Sequence, residues 1–337
     1  MRVLLDTSYA LRGPSGTAVY LERLARALRT EGVDVVEAAD ERRRPPAGGG
    51  AGSVRNLAHD AWWTQVALPR RAREAGADVL HHPLPALARR APCAQVVTLH
   101  DLAFERLPDR FAPAFRRWAT LTHRVAARGA AAVVCGSHTP RRDALARWGL
   151  DPARIVGAPH GPGQEPQLAA ARAEHFLYVG DDEPRKNLAL LLEAHARYRR
   201  LAGAGALELV LAGRAQACQE GVRCEPAPEL ARLLGASAAL VHPALHEGFG
   251  LTALEAMQAG VPVIAARAPG LTETCADAVL YVDPYDADGL ARALAAVAGD
   301  ARLRAELAER GRERAAAFSW RASARAHIEA YTLARDG

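Results

Sequence analysis

Two glutamates, Glu247 and Glu255, are separated by seven residues across a loop broken by glycines. The loop follows an apolar run, Ala238–Val241, and leads into a helix-forming stretch, Thr252–Ala259. A helix that begins just after such a loop presents unpaired N–H groups and a partial positive charge, which together attract phosphate. The carboxylates are poor ligands for an anion but good acceptors for the hydroxyls of a sugar. Recognition of phosphate and of hydroxyls in one stretch indicates a sugar nucleotide.

A basic pair, Arg185 and Lys186, stands between a predicted strand, His175–Val179, and a predicted helix, Leu188–Leu201. At the mouth of that helix their charges add to its dipole, and opposite a diphosphate they would neutralise a leaving group. Two exposed surface charges are the alternative interpretation. Because Lys186 is the only lysine among 43 basic residues, we favour the functional one.

His100 ends a predicted buried strand, Gln95–His100, at the edge where an open α/β sheet has its site. It could hydrogen-bond a sugar hydroxyl or be a satisfied core histidine, and we favour the first. Nearer the N-terminus, the strand Arg2–Asp6 leads through a glycine turn to Gly16 and Thr17 and then to a helix. A phosphate contact and a simple β–α turn both fit this second pattern.

The elements that position these residues are alternating strands and helices, which predict an α/β fold with parallel sheets. The 337 residues fit two domains of roughly 150 residues each. Trp62 and Trp63 are expected to pack inward from a helix over Asp60–Ala75, and Asp40–Ser53 reads as a flexible loop.

Composition excludes several classes of protein. No apolar run reaches the ~18 residues of a membrane span, and the N-terminal run is too short for a secretion signal. Five scattered cysteines without a C-x-x-C pair indicate free thiols in a reducing cytoplasm. The net charge of +5 is compatible with an anionic substrate or a lipid surface.

The motif around the two glutamates is long and specific. The E-x7-E pattern within HEGFGLTALEAMQAGVPVIA, with Ala268-Pro269-Gly270, Glu273 and a later Val282-Asp283-Pro284, resembles the signature of the family 4 retaining glycosyltransferases. The resemblance implies the GT-B fold: two Rossmann-like domains whose parallel sheets face each other across a cleft. We expect an acceptor-side domain at 1–165, a linker at 166–173, a nucleotide-sugar domain at 174–318, and a terminal helix at 319–337 that packs on the first domain.

The resemblance also assigns roles to residues. In that family the basic pair stabilises the departing diphosphate, the first glutamate touches the donor sugar, and the second holds the ribose. The implied catalytic set is His100, Arg185, Lys186 and Glu247. The implied donor-binding set is Gly16, Thr17, Phe249, Gly250, Leu251, Thr252 and Glu255. One position departs from the family, because many relatives have an arginine directly after the glycine where this chain has Asp181. We expect no metal site and no cofactor beyond the nucleoside diphosphate sugar.

The function implied is retaining transfer of a sugar from a nucleoside diphosphate donor to a hydroxyl of a natural product, glycan or lipid, without a nucleic-acid partner. A nucleotide-sugar epimerase, another GT-B enzyme, or an inactive homologue that supports a catalytic partner are the alternatives. Arg106–Arg128 is rich in arginine and aromatic residues. It reads either as an acceptor-side helix with snorkelling arginines, which we favour slightly, or as a peripheral membrane contact of a cytoplasmic protein.

Overall fold

The computed structural model describes residues 1–13, 15–42, 51–163, 174–226 and 229–337, without the side chains of 12 and 51–54. The chain forms two compact units. The first comprises Met1–Leu102, Pro113–Gly161 and Ser319–Gly337, and the second comprises Ala103–Ala112 and Pro162–Phe318. The predicted linker at 166–173 and most of the predicted loop at Asp40–Ser53 lie outside the described residues.

The first unit is built on a sheet of six parallel strands in the order β2-β1-β3-β4-β5-β6. The strands are β1 (Arg2–Asp6), β2 (Asp34–Ala38), β3 (Val79–His82), β4 (Ala94–Leu99), β5 (Ala132–Cys135) and β6 (Ile155–Gly157). Its helices are α1 (Gly16–Thr30), α2 (Ala51–Trp62), α3 (Leu68–Glu74), α5 (Pro113–Gly129), α6 (His138–Trp148) and α13 (Trp320–Asp336).

Alternating side chains of β1 supply both faces of this sheet. Val3 and Leu5 pack in one buried cluster with residues of α1 and α13, while Leu4 packs in another with Trp63. Trp63 is 6% exposed, but Trp62 is 42% exposed, so the prediction that both tryptophans pack inward is wrong for Trp62. Adjacent residues on a helix point about 100° apart, and only one of the two can face the sheet.

The terminal helix α13 belongs to the first unit, so the chain crosses back to its first domain as the GT-B resemblance predicts. Ala330 and Tyr331 are fully buried in the same cluster as Val3 and Leu5. The helix begins close to the end of the preceding segment of this unit, since a Cβ at Gly161 would lie 2.5 Å from the backbone nitrogen of Trp320. Only glycine fits at that approach.

The second unit has a six-stranded parallel sheet in the order β12-β11-β10-β7-β8-β9. The strands are β7 (His175–Val179), β8 (Glu208–Ala212), β9 (Val222–Glu225), β10 (Ser237–His242), β11 (Val263–Ala266) and β12 (Leu280–Val282). The helices are α4 (Ala103–Arg106), α7 (Leu188–Ala202), α8 (Leu230–Gly235), α9 (Leu251–Gln258), α10 (Leu271–Cys275), α11 (Ala287–Gly299) and α12 (Ala301–Ala315). The strand order reverses between β7 and β10, and the crevice beyond such a reversal is where doubly wound sheets bind ligands.

The stretch 106–128 is not one helix. α4 ends at Arg106, a short turn covers Pro108–Arg110, and α5 begins at Pro113. Proline is tolerated in the first turn of a helix but not in its interior, which explains both breaks. None of the described helices is long and apolar enough to cross a membrane.

Candidate active site

In the second unit, two of the predicted site residues and one histidine that was not predicted meet on the carboxylate of a third predicted residue, Glu247. Arg185 Nη1 lies 3.2 Å from Glu247 Oε2, and the Lys186 ammonium contacts Glu247 Oε1. His242 Nε2 lies 3.0 Å from the same Oε1. We call Arg185, Lys186, His242 and Glu247 the ionic cluster. The first two residues follow β7 and the other two end or follow β10, so the cluster lies at the reversal of strand order.

The neighbouring charges of this cluster determine the protonation states of Glu247 and His242. Burial alone raises the pKa of the Glu247 carboxyl, but the charges of Lys186 and Arg185 and the hydrogen bond from His242 outweigh it and hold that pKa well below its ordinary value. Burial lowers the pKa of His242, against the opposing effect of Glu247. At neutral pH Glu247 is therefore an anion beside a neutral imidazole. A carboxylate only accepts hydrogen bonds, so His242 donates through its Nε2–H.

The basic pair is held in place by its own turn. Arg185 and Lys186 belong to a single 3-10 turn, Pro184–Lys186, which ends at Asn187 in the left-handed region with φ of 58°. The Asn187 amide nitrogen donates to the carbonyls of Pro284 at 2.8 Å and Pro243 at 3.2 Å. Asparagine adopts this conformation more readily than most residues, and here its side chain ties the turn to the loop after β10.

The loop that carries Glu247 also depends on close backbone packing. The Leu245 nitrogen donates to the Arg185 carbonyl at 2.8 Å, and the Glu247 nitrogen donates to the Pro269 carbonyl at 3.3 Å. Gly270 has a φ of 81°, and a Cβ there would overlap the Glu247 carbonyl. Gly270 is therefore required for the position of Glu247.

The predicted donor-binding residues of this unit lie at the start of α9. Gly250 precedes the helix with a φ of 92°, and Leu251 and Thr252 form its first turn. Phe249 is 8% exposed, and the centroid of its ring lies 5.7 Å from that of Phe318, so its side chain belongs to the core. Glu255 is buried in the second turn of the helix.

Asp181, the position that departs from the family pattern, has a structural partner. Arg214 Nε lies 3.1 Å from its Oδ1, and the second guanidinium nitrogen contacts its other oxygen. The hydrogen bond from Arg214 lowers the pKa of Asp181. Within the described residues, no group of three or more histidine, cysteine, aspartate or glutamate side chains is arranged to hold a metal ion.

The remaining predicted residues belong to the first unit. Gly16 and Thr17 are the first residues of α1, where the Ser15 hydroxyl accepts a hydrogen bond from the Ala18 nitrogen. His100 follows β4, and the Pro83 carbonyl accepts a hydrogen bond from its ring. Burial lowers the pKa of His100, and among the described residues its buried Nε2 has no hydrogen-bond partner.

His242, Asn187 and the structural role of Gly270 were not predicted from the sequence. One signal could have indicated His242, because it ends an apolar strand five residues before Glu247. The roles of Asn187 and Gly270 depend on backbone contacts with distant segments, which leave no local pattern.

The chain is similar in sequence and in fold to known proteins. A family model described as "Glycosyltransferase Family 4" matches residues 14–161, and one described as "Glycosyl transferases group 1" matches residues 164–314. The chain belongs to glycosyltransferase family 4. The family prediction made from the motif around Glu247 is thereby confirmed.

The family 4 relatives align over parts of the chain. O-antigen chain mannosyltransferase B of Escherichia coli is 32% identical over 174 residues, which are 47% of this chain and 46% of that protein. The chain thus spans about half the length of that relative, and less than two thirds of several other curated relatives that it matches.

Solved structures are similar over the whole chain. Sucrose-phosphate synthase from Thermosynechococcus elongatus has a TM-score of 0.76 at 20% identity, with 98% of both chains covered. HepE of Anabaena, in complex with UDP-glucose, has a TM-score of 0.70 at 16% identity and 98% coverage of both chains. Such likeness shows the fold, and the predicted α/β GT-B fold is confirmed.

Proposed function

We propose that this family 4 protein transfers a sugar, with retention, from a nucleoside diphosphate sugar to a hydroxyl acceptor. The observation that carries the proposal is the ionic cluster, in which two cations converge on a buried carboxylate beyond the switch point of the second sheet. Family membership and the GT-B fold support it.

In this proposal Arg185 and Lys186 bind the diphosphate and stabilise the charge that develops as it leaves. Preorganised cations of this kind need no reorganisation during the reaction. Arg185 also pairs with the half-exposed Glu183, Nε to Oε2 at 2.8 Å. Because the Glu183 side chain is 47% exposed, it can turn to solvent when a diphosphate takes its place beside Arg185.

Glu247 has a second task in the proposal. Its position relative to the basic pair is held by His242 and by the packing of Gly270. A carboxylate has about four acceptor sites, so it can keep its cations and still accept a sugar hydroxyl. We propose that it orients the donor sugar, that Glu255 holds the ribose, and that the backbone of Phe249–Thr252 faces the phosphates.

We also propose roles for His100 and for the start of α1, which belong to the first unit. The His100 Nε2 has no partner among the described residues, so it is available to a sugar hydroxyl. Gly16 and Thr17 begin α1, whose first N–H groups suit a phosphate or a polar acceptor. The departing phosphate accepts the proton of the acceptor hydroxyl, which is compatible with retention and requires no protein base.

The first experiment is a thermal shift assay with UDP, GDP, dTDP and ADP. A nucleotide at ~100 times its Kd should stabilise the fold by about 2.7 kcal/mol. The wild type should respond to one nucleotide, and Lys186→Ala should not. UDP is the first choice because HepE of Anabaena was solved with UDP-glucose. Absence of any shift in the wild type would refute donor binding at this cluster.

Turnover then separates transfer from its alternatives. The panel is UDP-glucose, GDP-mannose, dTDP-glucose and ADP-glucose, the second included because a relative is named a mannosyltransferase. Transfer predicts nucleotide release that rises when a hydroxyl acceptor is added. An epimerase would convert the donor without acceptor or release, and an inactive homologue would do neither.

We also propose that α5 makes a peripheral membrane contact. Its exposed face carries four apolar side chains, namely Phe115, Trp118, Leu121 and Val125, which are 45–64% exposed. These positions repeat at intervals of three or four residues, and arginines such as Arg117 and Arg124 adjoin them, as in helices that lie on anionic lipid. Such an apolar face would insert among the lipids.

Co-sedimentation with vesicles tests this contact. Wild-type protein should bind vesicles containing phosphatidylglycerol and bind neutral phosphatidylcholine vesicles weakly. Leu121→Ser should abolish binding, whereas Leu201→Ser, at an equally exposed leucine of α7, should not. Equal binding by both variants would refute the contact.

A further inference from the structure

A continuous chain of hydrogen bonds crosses the core of the first unit. It joins α1, β3 and β4 to the terminal helix, and every side chain in it is buried. We call these five side chains the neutral cluster: Tyr20, His81, Thr98, His327 and Tyr331. Its links are 2.8 Å between side chains, and His327 Nδ1 lies 2.7 Å from the Ser323 carbonyl.

The direction of the first two bonds follows from the Ser323 end. A carbonyl only accepts, so His327 Nδ1 donates to Ser323. Burial lowers the pKa of His327 to about 4, so the imidazole is neutral and its Nε2 is an acceptor. The Tyr20 hydroxyl must then donate to His327 Nε2.

The remaining directions follow in turn. Because the Tyr20 hydroxyl has used its proton, it accepts from the Thr98 hydroxyl. Thr98 has then used its own proton and accepts from His81 Nε2. The His81 Nδ1 is therefore an acceptor, and the Tyr331 hydroxyl donates to it. The donor and the acceptor of every bond are therefore fixed. The terminal helix supplies both ends of this series of hydrogen bonds, namely Tyr331 and the Ser323 carbonyl.

The neutral cluster touches His100 through one ring. The Tyr20 ring meets the His100 imidazole edge-on, with centroids 5.0 Å apart and planes at 87°. It also contacts His160, whose own centroid lies 5.9 Å from that of His100. Two hydrogen bonds hold the Tyr20 hydroxyl oxygen, so the long axis of the ring cannot swing to a new direction without breaking them. The surface against which His100 rests is therefore rigid.

We infer that Tyr20 and His327 are positioning residues for His100, so that the terminal helix sets the orientation of this imidazole. The inference rests on the proposed function of His100. We assign Tyr20 itself no contact with substrate. Its contribution is to orient a neighbouring ring, and a displacement of about 1 Å in such a group can lower a rate ~100-fold.

The test compares Tyr20→Phe with a matched control, Tyr331→Phe. Each variant removes one buried phenol hydroxyl from the same chain of hydrogen bonds. The directions are set from the Ser323 end, so loss of the Tyr331 hydroxyl leaves both bonds of Tyr20 in place. Tyr20→Phe breaks two hydrogen bonds and Tyr331→Phe breaks one, so both variants should lower the thermal midpoint, Tyr20→Phe by more, and rates are compared well below both midpoints.

Two readouts distinguish positioning from mere stability. In spectra of protein with 15N-labelled histidine, Tyr20→Phe should move the His100 ring signals and Tyr331→Phe should not. With the most active nucleotide sugar of the panel, Tyr20→Phe should lower kcat about tenfold or more at nearly unchanged KM, and Tyr331→Phe should stay within about twofold of wild type.

The outcomes are separable. Unmoved His100 signals and unchanged kcat in Tyr20→Phe, or equal losses in both variants, would overturn the inference. An unchanged rate in His100→Ala would instead overturn the proposed role of His100. If Tyr20→Phe does not fold, Thr98→Val removes the other partner of the Tyr20 hydroxyl and should give the same pattern.

Discussion

The ionic cluster and the neutral cluster solve one problem in opposite ways. Each gathers polar side chains beside the ends of parallel strands. All are buried except Arg185 and Lys186, whose side chains are 17% and 15% exposed, so an unpaired charge is expensive in either cluster. The neutral cluster avoids charge, with each histidine nitrogen satisfied by one partner. The ionic cluster keeps its charges and pairs them on Glu247. The difference matches the proposed roles: charge is retained where we propose that a diphosphate binds, and it is absent where side chains only need to be held.

The largest expected effect comes from unbalancing the ionic cluster. Lys186→Met should lower kcat by about 10²–10³-fold, or 2.7–4 kcal/mol, because a preorganised cation is lost. It should also lower the thermal midpoint, because the buried Glu247 carboxylate loses a partner. The double variant Lys186→Met with Glu247→Gln should recover part of the midpoint but no turnover. Steady-state kinetics beside calorimetry checks this, and normal turnover in the single variant would contradict it.

Acid should weaken the neutral cluster. The pKa of His327 is lowered from 6.5 to about 4, so the unfolded chain takes up a proton at a higher pH than the folded one. Its share of the unfolding free energy, about 3 kcal/mol, is complete above pH 6.5 and is lost as the pH falls to about 4. Titration of stability from pH 7 to pH 4 should give a shallower slope for His327→Gln. Identical slopes would contradict this assignment.

Gly270→Ala tests the backbone that supports the ionic cluster. A positive φ alone should cost a non-glycine residue about 1–3 kcal/mol, and overlap with the Glu247 carbonyl adds to it. Both stability in urea and kcat should fall. Gly205→Ala is the matched control, because its φ is not positive and a Cβ there meets nothing within 4 Å. Similar losses in the two variants would show that Gly270 has no special role.

The smallest effect is expected at Asp181. Its ion pair with Arg214 is at the surface, since the arginine side chain is 71% exposed. Such pairs contribute about 0–1 kcal/mol, and less at high salt. Asp181→Asn should therefore change the thermal midpoint only slightly and leave kcat near that of wild type. A large loss of turnover would place Asp181 in the ionic cluster after all.

Much of the fold could be predicted from local pattern. The predicted strands Arg2–Asp6, His175–Val179 and Val263–Ala266 have the bounds observed, because each is a short apolar run closed by polar or glycine residues. Glu247 was found through a long motif. His242 was not, because the direction of its ring depends on the conformation of the loop that follows it.

The neutral cluster could not have been found in this way. Tyr20 and His327 are 307 positions apart, and no motif or periodicity connects them. Each reads locally as an ordinary residue on the buried face of a helix. They come into contact only because the chain brings α13 back onto the first sheet, where the Tyr20 hydroxyl meets the His327 imidazole.

The path of the chain also determines the order in which the two units can be completed during translation. Val3 and Leu5 are translated long before Ala330 and Tyr331, yet the four residues pack in one buried cluster. At roughly 5–20 residues per second, translation leaves that apolar face of β1 without its final cover for roughly 15–65 s. The second unit, by contrast, has all its strands before the terminal helix emerges. Within this chain the first unit is therefore begun before the second and completed after it.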